Sequence, residues 1–471
     1  MKQKIWLCIW LIWMISFSFT ITVIANENQA SDEMYYILVD RFTNGTSVND
    51  RQVNLDDPNA FHGGDLAGVN QQLSHVQQLG METINISPVM ETDVYHGFAV
   101  TDFRSVSSHF GSLEDLQQLV ASAHDKNMKV ILDFPLTQMS EDHSWVENRP
   151  EWVIRADENP ESQMPRPDFQ ESEVVDYFVE TISFWLDEAN VDGFHFYADA
   201  QIPDHVMNTF VDTVHQKGDH TAIVDGRATN EGMQMNQSLQ QQMTSVFKQA
   251  GTSLEPLFAS ENSSKQEDVL FLESLTTNRF AYEAVQAEHN PVTRVKLALT
   301  YMYTVPGQPM LYQGLEVPMD NGKPTPDHRM ARINQTEEEV VQRIEKLSEL
   351  RSQYPALVDG ELEYIEQEGA MSVYKRQLND QEIYIAINND EVTQMAELES
   401  ISGAKQLRGV LYDDIVREQE DGTHQMILER ETANIFIVEE DTGLNWPFLS
   451  FLIVVFGGFI TFVIVMTKKN T

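Results

Sequence analysis

The sequence predicts an α/β chain: a (β/α)₈ TIM barrel with a small excursion domain after the third strand and a C-terminal antiparallel β-sandwich behind it. Three observations predict this. Apolar, strand-like runs alternate with helical patterns from Tyr35 to Gly314, a proline-rich stretch interrupts the rhythm once, and beyond residue 355 the helical period gives way to short alternating strands.

The run "YYILVD" (35–40) opens the series. Leu73, Val76 and Leu79 form a helical stripe, and "TINISPV" (83–89) follows it. Leu116, Leu119, Val120 and Ala123 fall at i, i+3, i+4 and i+7, then "MKVILDF" (128–134) reads as a buried strand. A helix holding Phe184, Trp185 and Leu186 leads into "VDGFHFY" (191–197). Helices over 204–217, 238–249 and 293–304 accompany the runs "TAIVDG", "VLFLES" and "QPMLYQG". Repeated units of this kind mean a parallel sheet, and about eight of them close a barrel whose chemistry sits at the C-terminal strand ends. The excursion spans 138–170, where Pro150, Pro160, Pro165 and Pro167 exclude regular structure. After a helix over 336–352, strands such as "EIYIAIN" and "ANIFIVEE" mark a separate domain at 356–440, leaving 34–355 to the barrel.

Both ends of the chain are apolar. Lys2 and Lys4 precede an uncharged run from Ile5 to Ile24, and "VIA" offers a cleavage site, so residues 1–25 read as a secretory signal, or as an anchor if retained. Pro447 to Thr467 carries no charge and as a helix would rise about 31 Å, enough for a bilayer core. Lys468 and Lys469 follow it. The expectation is a single-pass protein of the cell membrane with a C-terminal transmembrane helix (447–467) and a large extracellular body. The lone cysteine, Cys8, lies within the signal, so the mature chain is expected to lack disulfides.

The chain holds 31 basic and 73 acidic residues, a formal charge of −42. Such a surface repels nucleic acid and anionic lipid, and suits a protein bathed in salt, one that binds cations, or solubility alone.

Eight stretches appear in a telling order: "VDRFTNGTSVND", "FHGGDLAGV", "YHGFAVTDF", "GSLEDLQQLVASAHDKNMKVILDF", "RPDFQ", "VDGFHF", "VPGQPMLYQG" and "LRSQYPAL". Over about residues 34–440 the chain resembles the α-amylases of glycoside hydrolase family 13. The resemblance implies α-glucans as substrates and a retaining mechanism, which needs two carboxyl groups about 5–5.5 Å apart. A third carboxylate would grip the sugar hydroxyls.

The family's carboxylates are mostly missing. Asp133 stands at the third strand, but Thr137 and Gln138 fill the Asn-His pair expected after it. The nucleophile position is Tyr197, its supporting arginine is His195, and the histidine beyond is Gln201. Asp225 takes the place of the acid/base glutamate. The motif Asn-His-Asp reads Ser274, Leu275 and Thr276, with Thr277, Arg279 and Phe280 retained. The resemblance therefore implies a degenerate site with Tyr197 and Asp225 at its catalytic positions. His96, Phe98, Asp133, His195 and Arg279 stand at its substrate-binding positions.

Two readings follow. Tyrosine serves as nucleophile in sialidases, and Tyr197 with His195 and Asp225 would form such a site, although a reference pKa of about 10 demands a base or cation beside it. Alternatively, His195 and Tyr197 hydrogen-bond to fill a vacated pocket, and the protein binds glucan or acts structurally. Asp199 and Glu273 read as solvated carboxylates. Trp145 and Trp152 read either as sugar platforms or as packing. The resemblance also implies a structural calcium ion held by Asn44, Thr46, Asn49, Asp50, the Gly63 carbonyl and Asp65, whose oxygens suit that cation. A loop so rich in Asn, Asp and Gly also reads simply as a turn. The family's other calcium site keeps Asp168 but lacks its remaining ligands, and is expected empty.

Overall fold

The computed structural model describes residues 33–155, 164–229, 232–259, 263–320, 328–365, 369–399, 401, 405–441, 443 and 446–469. The expected signal segment, with Cys8, lies outside them.

Eight parallel strands close the barrel: Met34–Ile37, Thr83–Ile86, Lys129–Pro135, Gly193–Tyr197, Thr221–Asp225, Met233–Met235, Asp268–Phe271 and Gln308–Tyr312, each beside its sequence neighbour and the last beside the first. The sixth, "MQM", escaped the sequence reading. It has three residues, too few for a period, and no helix among the described residues separates it from the fifth. The helices fall where expected, and their ends are chemically marked. Ser112 and Asp115 form a capping box for Leu113–His124, whose predicted stripe is buried. Asn290 caps Pro291–Thr304, with proline at the first position.

The barrel interior is a packed core, not a channel. Met34, Tyr36, Ile131, Ile223, Phe271 and Met310 fill it, and Phe98 and Leu275 close it toward the mouth. In the excursion, Trp145 is buried against Trp152, Tyr177 and Phe178, while the Arg149 guanidinium lies 3.6 Å over the Trp152 ring. Both tryptophans pack the excursion.

The C-terminal domain is a sandwich. A six-stranded antiparallel sheet (Glu361–Ile365, Met371–Leu378, Gln381–Asn388, Thr432–Glu440, Lys405–Gly409 and Ile415–Arg417, in spatial order) packs on the pair Gln394–Leu398 and His424–Leu428 through Val373, Ala386, Leu398, Met426 and Phe436. Polar ties hold it to the barrel. Arg294 donates to Asn389 (2.7 Å) and Glu431 (2.8 Å), and Arg376 donates to the Thr304 carbonyl (2.7 Å).

A terminal helix runs Trp446–Lys469. The expected transmembrane helix and single-pass location are corrected here: among the described residues, no helix is long and apolar enough to cross a membrane.

Candidate functional site

At the C-terminal ends of the third, fourth and fifth strands the register sets Asp133 beside His195 and Tyr197 beside Asp225. Side chains alternate along a strand, so His195 and Tyr197 share the inward face. Tyr36, on the first strand, and Asn85, on the second, which is paired directly with the third, point into the same part of the barrel.

These groups form one hydrogen-bonded array. Tyr36 donates its hydroxyl to Asp133 Oδ2 (2.6 Å), and Asn85 Nδ2 donates to Asp133 Oδ1 (2.8 Å). His195 Nδ1 lies 2.9 Å from the same Oδ1, which fixes the proton on Nδ1 because a carboxylate only accepts. Tyr36 has spent its single proton on Asp133, so the 2.7 Å contact with Tyr197 is a donation by Tyr197. His195 Nε2 lies 3.9 Å from Asp225 Oδ2 and has no hydrogen-bond partner. Asp225 takes its own bond from Gln237 Nε2 (2.8 Å). Gly226 turns the chain away at φ 84°, where a Cβ would lie 2.2 Å from the Ala198 carbonyl.

The electrostatics follow from burial. Tyr197's pKa is pushed well above 10, first by burial and then by the Asp133 and Asp225 charges. Burial alone would lower His195, but the Asp133 charge and hydrogen bond, with Asp225, outweigh it and raise the pKa above 6.5. His96 is pushed down to about 4 by burial, with His328 and Arg41 acting in the same direction, so its neutral Nδ1 accepts from the Phe98 N–H at 3.3 Å.

The predicted site residues are thus only partly assembled. Tyr197, Asp225, Asp133 and His195 come together, and Phe98 packs edge-on against Tyr197 at 4.6 Å. Asp133 and His195, expected to meet substrate, are fully buried beneath the mouth. Arg279, also expected to meet substrate, is buried and committed elsewhere: to Glu273 (2.6 Å), to the Gln313 carbonyl (2.8 Å) and over the Tyr312 ring (4.3 Å). The solvated reading of Asp199 and Glu273 is corrected. Both are buried, because each pairs with a buried arginine: Asp199 bidentately with Arg166 at 2.5 and 3.1 Å, Glu273 with Arg279. Thr276 exposes only a hydroxyl at the third-carboxylate position. Tyr36 and Asn85 were missed. The signal for Tyr36 was its place on the same barrel face as Asp133, but nothing local in "YYILVD" marks it.

In the 44–65 loop, Asn44 Nδ2 donates to Asp50 Oδ1 (2.7 Å), and a Cβ on Gly63 (φ 91°) would lie 2.7 and 2.9 Å from those two atoms. Asn49 Oδ1 is buried without a partner. Asp65 is differently employed. It caps helix Leu66–Gln78, accepting from Gly68 N (2.6 Å), Gly45 N (3.0 Å) and Thr46 N (3.0 Å). The Asp50 carboxylate and the unpartnered Asn49 Oδ1 are oxygens of the kind a hard cation takes, while Asp65 shapes the loop from behind. Among the described residues no group of three or more His, Cys, Asp or Glu is placed to hold a metal, so any cation here would depend on amide and carbonyl oxygens beside the Asp50 carboxylate.

Comparison with known proteins adds the following. The family profile described as "Alpha amylase, catalytic domain" matches residues 36–159, and "Alpha-amylase C-terminal domain" matches 360–436. An α-amylase from Anoxybacillus superposes with a TM-score of 0.82 at 30% identity, over 89% of this chain and 100% of that one. The α-amylase of Geobacillus thermoleovorans, solved with acarbose, gives 0.80 at 29% identity, over 88% of this chain and 100% of that one. A cyclomaltodextrinase of Thermoanaerobacter pseudethanolicus is 25% identical over 424 residues, 79% of this chain and 73% of its own.

Proposed function

Because the chain belongs to the α-amylase family, we propose that it is an α-glucan-binding member that holds oligosaccharide at the barrel mouth without hydrolysing it. One observation carries this reading. The nucleophile position holds the Tyr197 phenol, which donates to Tyr36 and has its pKa pushed well above 10. A nucleophile must be ionised or have a base to take its proton. His195 cannot be that base, since its Nδ1 faces Asp133 and its Nε2 faces Asp225. Asp225, 5% exposed, is the one carboxylate of the array that is not fully buried, and one carboxyl group cannot be both nucleophile and acid.

Glucan binding draws support from the Geobacillus relative and its acarbose complex, and from the Phe98 and Tyr197 rings at the mouth. Calorimetric titration with maltoheptaose should give saturable heat, with the sugar recovered at full length. Phe98→Ala should weaken binding by about tenfold at most, the upper range of an aromatic contact. No heat of binding would remove the glucan half of the proposal.

A second reading, a glycosidase with Tyr197 as nucleophile and Asp225 as acid, is favoured by the carboxyl group that Asp225 supplies in place of the acid/base glutamate and by relatives named as cyclomaltodextrinases. It requires a phenolate where two carboxylates oppose one.

We also propose calcium as a structural ion of the 44–65 loop. Asn44, Thr46, Asn49, Asp50 and the Gly63 carbonyl would hold it, with the Asp65 carboxylate, already engaged by three backbone N–H groups, shaping the loop behind them. Binding to the folded state alone would stabilise by about 2.7 kcal/mol at a hundredfold excess over Kd. Chelator should therefore lower the melting temperature of the wild type. It should leave Asp50→Ala unchanged; Asp65→Ala is the poorer test, because it also uncaps a helix. A wild-type melt indifferent to chelator and to added calcium sinks the site.

A further inference from the structure

Helices Pro291–Thr304 and Glu338–Gln353 meet the C-terminal domain around a cavity of about 370 Å³, within the range of small-molecule sites. Lys296, Glu339, Arg343, Lys346, Leu411 and Tyr412 line it. Arg343 is the unusual member. Its side chain is 9% exposed, yet among the described residues it has no carboxylate partner. Its contacts are neutral: the Thr300 hydroxyl at 2.9 Å and the Tyr412 hydroxyl at 3.0 Å. The other N–H groups of the guanidinium fork are left for the cavity. The two lysines sit in surface pairs, Lys296 with Glu339 and Lys346 with Glu349 (2.8 Å), whose carboxylates are about half exposed or more, so a dianion can compete for the ammonium groups.

A buried guanidinium without a counter-ion is costly, because desolvation is not offset by attraction. The other buried arginines show two solutions: Arg166 has Asp199, Arg279 has Glu273 and Arg351 has Glu33, whereas Arg376 spends its fork on the carbonyls of Thr304, Val358 and Gly360; Arg343 has neither a carboxylate nor such a ring of carbonyls. In a chain of net charge −42, carboxylates are abundant, yet Glu339, which lines this cavity, is paired with Lys296 and none reaches Arg343. The counter-ion is therefore sought outside the chain.

We propose that this cavity binds a small phosphate monoester. Its phosphate faces Arg343, with Lys346 and Lys296 at hand, and its organic body lies against Leu411 and the Tyr412 ring, which is 48% exposed. A guanidinium fork flanked by ammonium groups matches the several oxygens and double charge of a phosphate better than a single carboxylate. The volume and the half-exposed ring leave room for more than the phosphate itself. The site is separate from the barrel mouth, so it neither requires nor excludes glucan binding there.

The test is calorimetric titration of the full chain, in phosphate-free buffer, with glucose 6-phosphate, inorganic phosphate, acetate and glucose. Saturable binding is expected for both phosphates, tighter for the ester, and none for acetate or glucose. Lys346→Gln should weaken the ester at least about tenfold, the loss of one charge-assisted hydrogen bond, without moving the melting temperature in phosphate-free buffer. Arg343→Met should abolish binding while melting no earlier than wild type in that buffer. Absence of heat with either phosphate, or binding that survives Arg343→Met, overturns the site. An ester no tighter than inorganic phosphate overturns the role of Leu411 and Tyr412. If Arg343→Met does not fold, undiminished binding by Lys346→Gln overturns the proposal on its own.

Discussion

Purified protein incubated with starch, maltooligosaccharides or cyclodextrins is expected to release no reducing ends above a buffer blank. The expectation rests on charge at the moment of bond cleavage. A retaining glycosidase stabilises an oxocarbenium-like centre with a carboxylate on one side and protonates the leaving oxygen from the other. Here the first position carries an un-ionised phenol and the third carboxylate position an exposed threonine hydroxyl. Loss of a single catalytic carboxylate already removes several orders of magnitude in rate, and here two are gone. Turnover that vanishes in Tyr197→Phe would establish the tyrosine nucleophile and end the non-hydrolytic reading. Turnover that persists in that variant would point to a different centre in the preparation.

Asp133→Ala should cost about 3–5 kcal/mol of stability, the usual penalty for removing one partner of a buried ionic array. The Tyr36 hydroxyl, Asn85 Nδ2 and His195 Nδ1 would each lose their acceptor in a site closed to water. The same variant tests the electrostatics. In the wild type His195's pKa is raised, so the stability it contributes is complete below its unfolded value near 6.5 and is lost as pH rises through the folded value. Without Asp133 burial dominates and the raised pKa disappears. The wild-type melting temperature should therefore fall with rising pH above about 6.5, and this component of the fall should be missing from Asp133→Ala. A variant as stable as wild type at every pH would show that the array holds nothing together.

Much of this was legible in the sequence. Seven barrel strands were visible because buried parallel strands read as continuous apolar runs. The three-residue sixth was not, because nothing that short has a period. At the site, the substitutions at 197 and 276 were plain from motif positions. The partners that define the site were hidden, because Tyr36 and Asn85 lie far from residues 195 and 197 in the chain and meet them only where the first four strands pair and curve together. Asp199 and Glu273 were misjudged for a related reason: a carboxylate's burial depends on whether an arginine arrives from elsewhere, and Arg166 comes from the excursion. The counter-ion shortage at Arg343 has no sequence signature at all.

The bond from Tyr197 to Tyr36, continued to Asp133, bears on what a substitution at 197 would meet. An aspartate restored at position 197 would enter beside Asp133 and Asp225 with His195, not an arginine, as its nearest cation. It would also take from Tyr36 the hydrogen-bond donor that the phenol supplies. A carboxylate placed alone at 197 is thus uphill, and an arginine placed at 195 with it would supply the missing cation. The array works as an interlock: Tyr36, Asp133, His195 and Tyr197 each hold the next in place, so a change at one of them is felt by all.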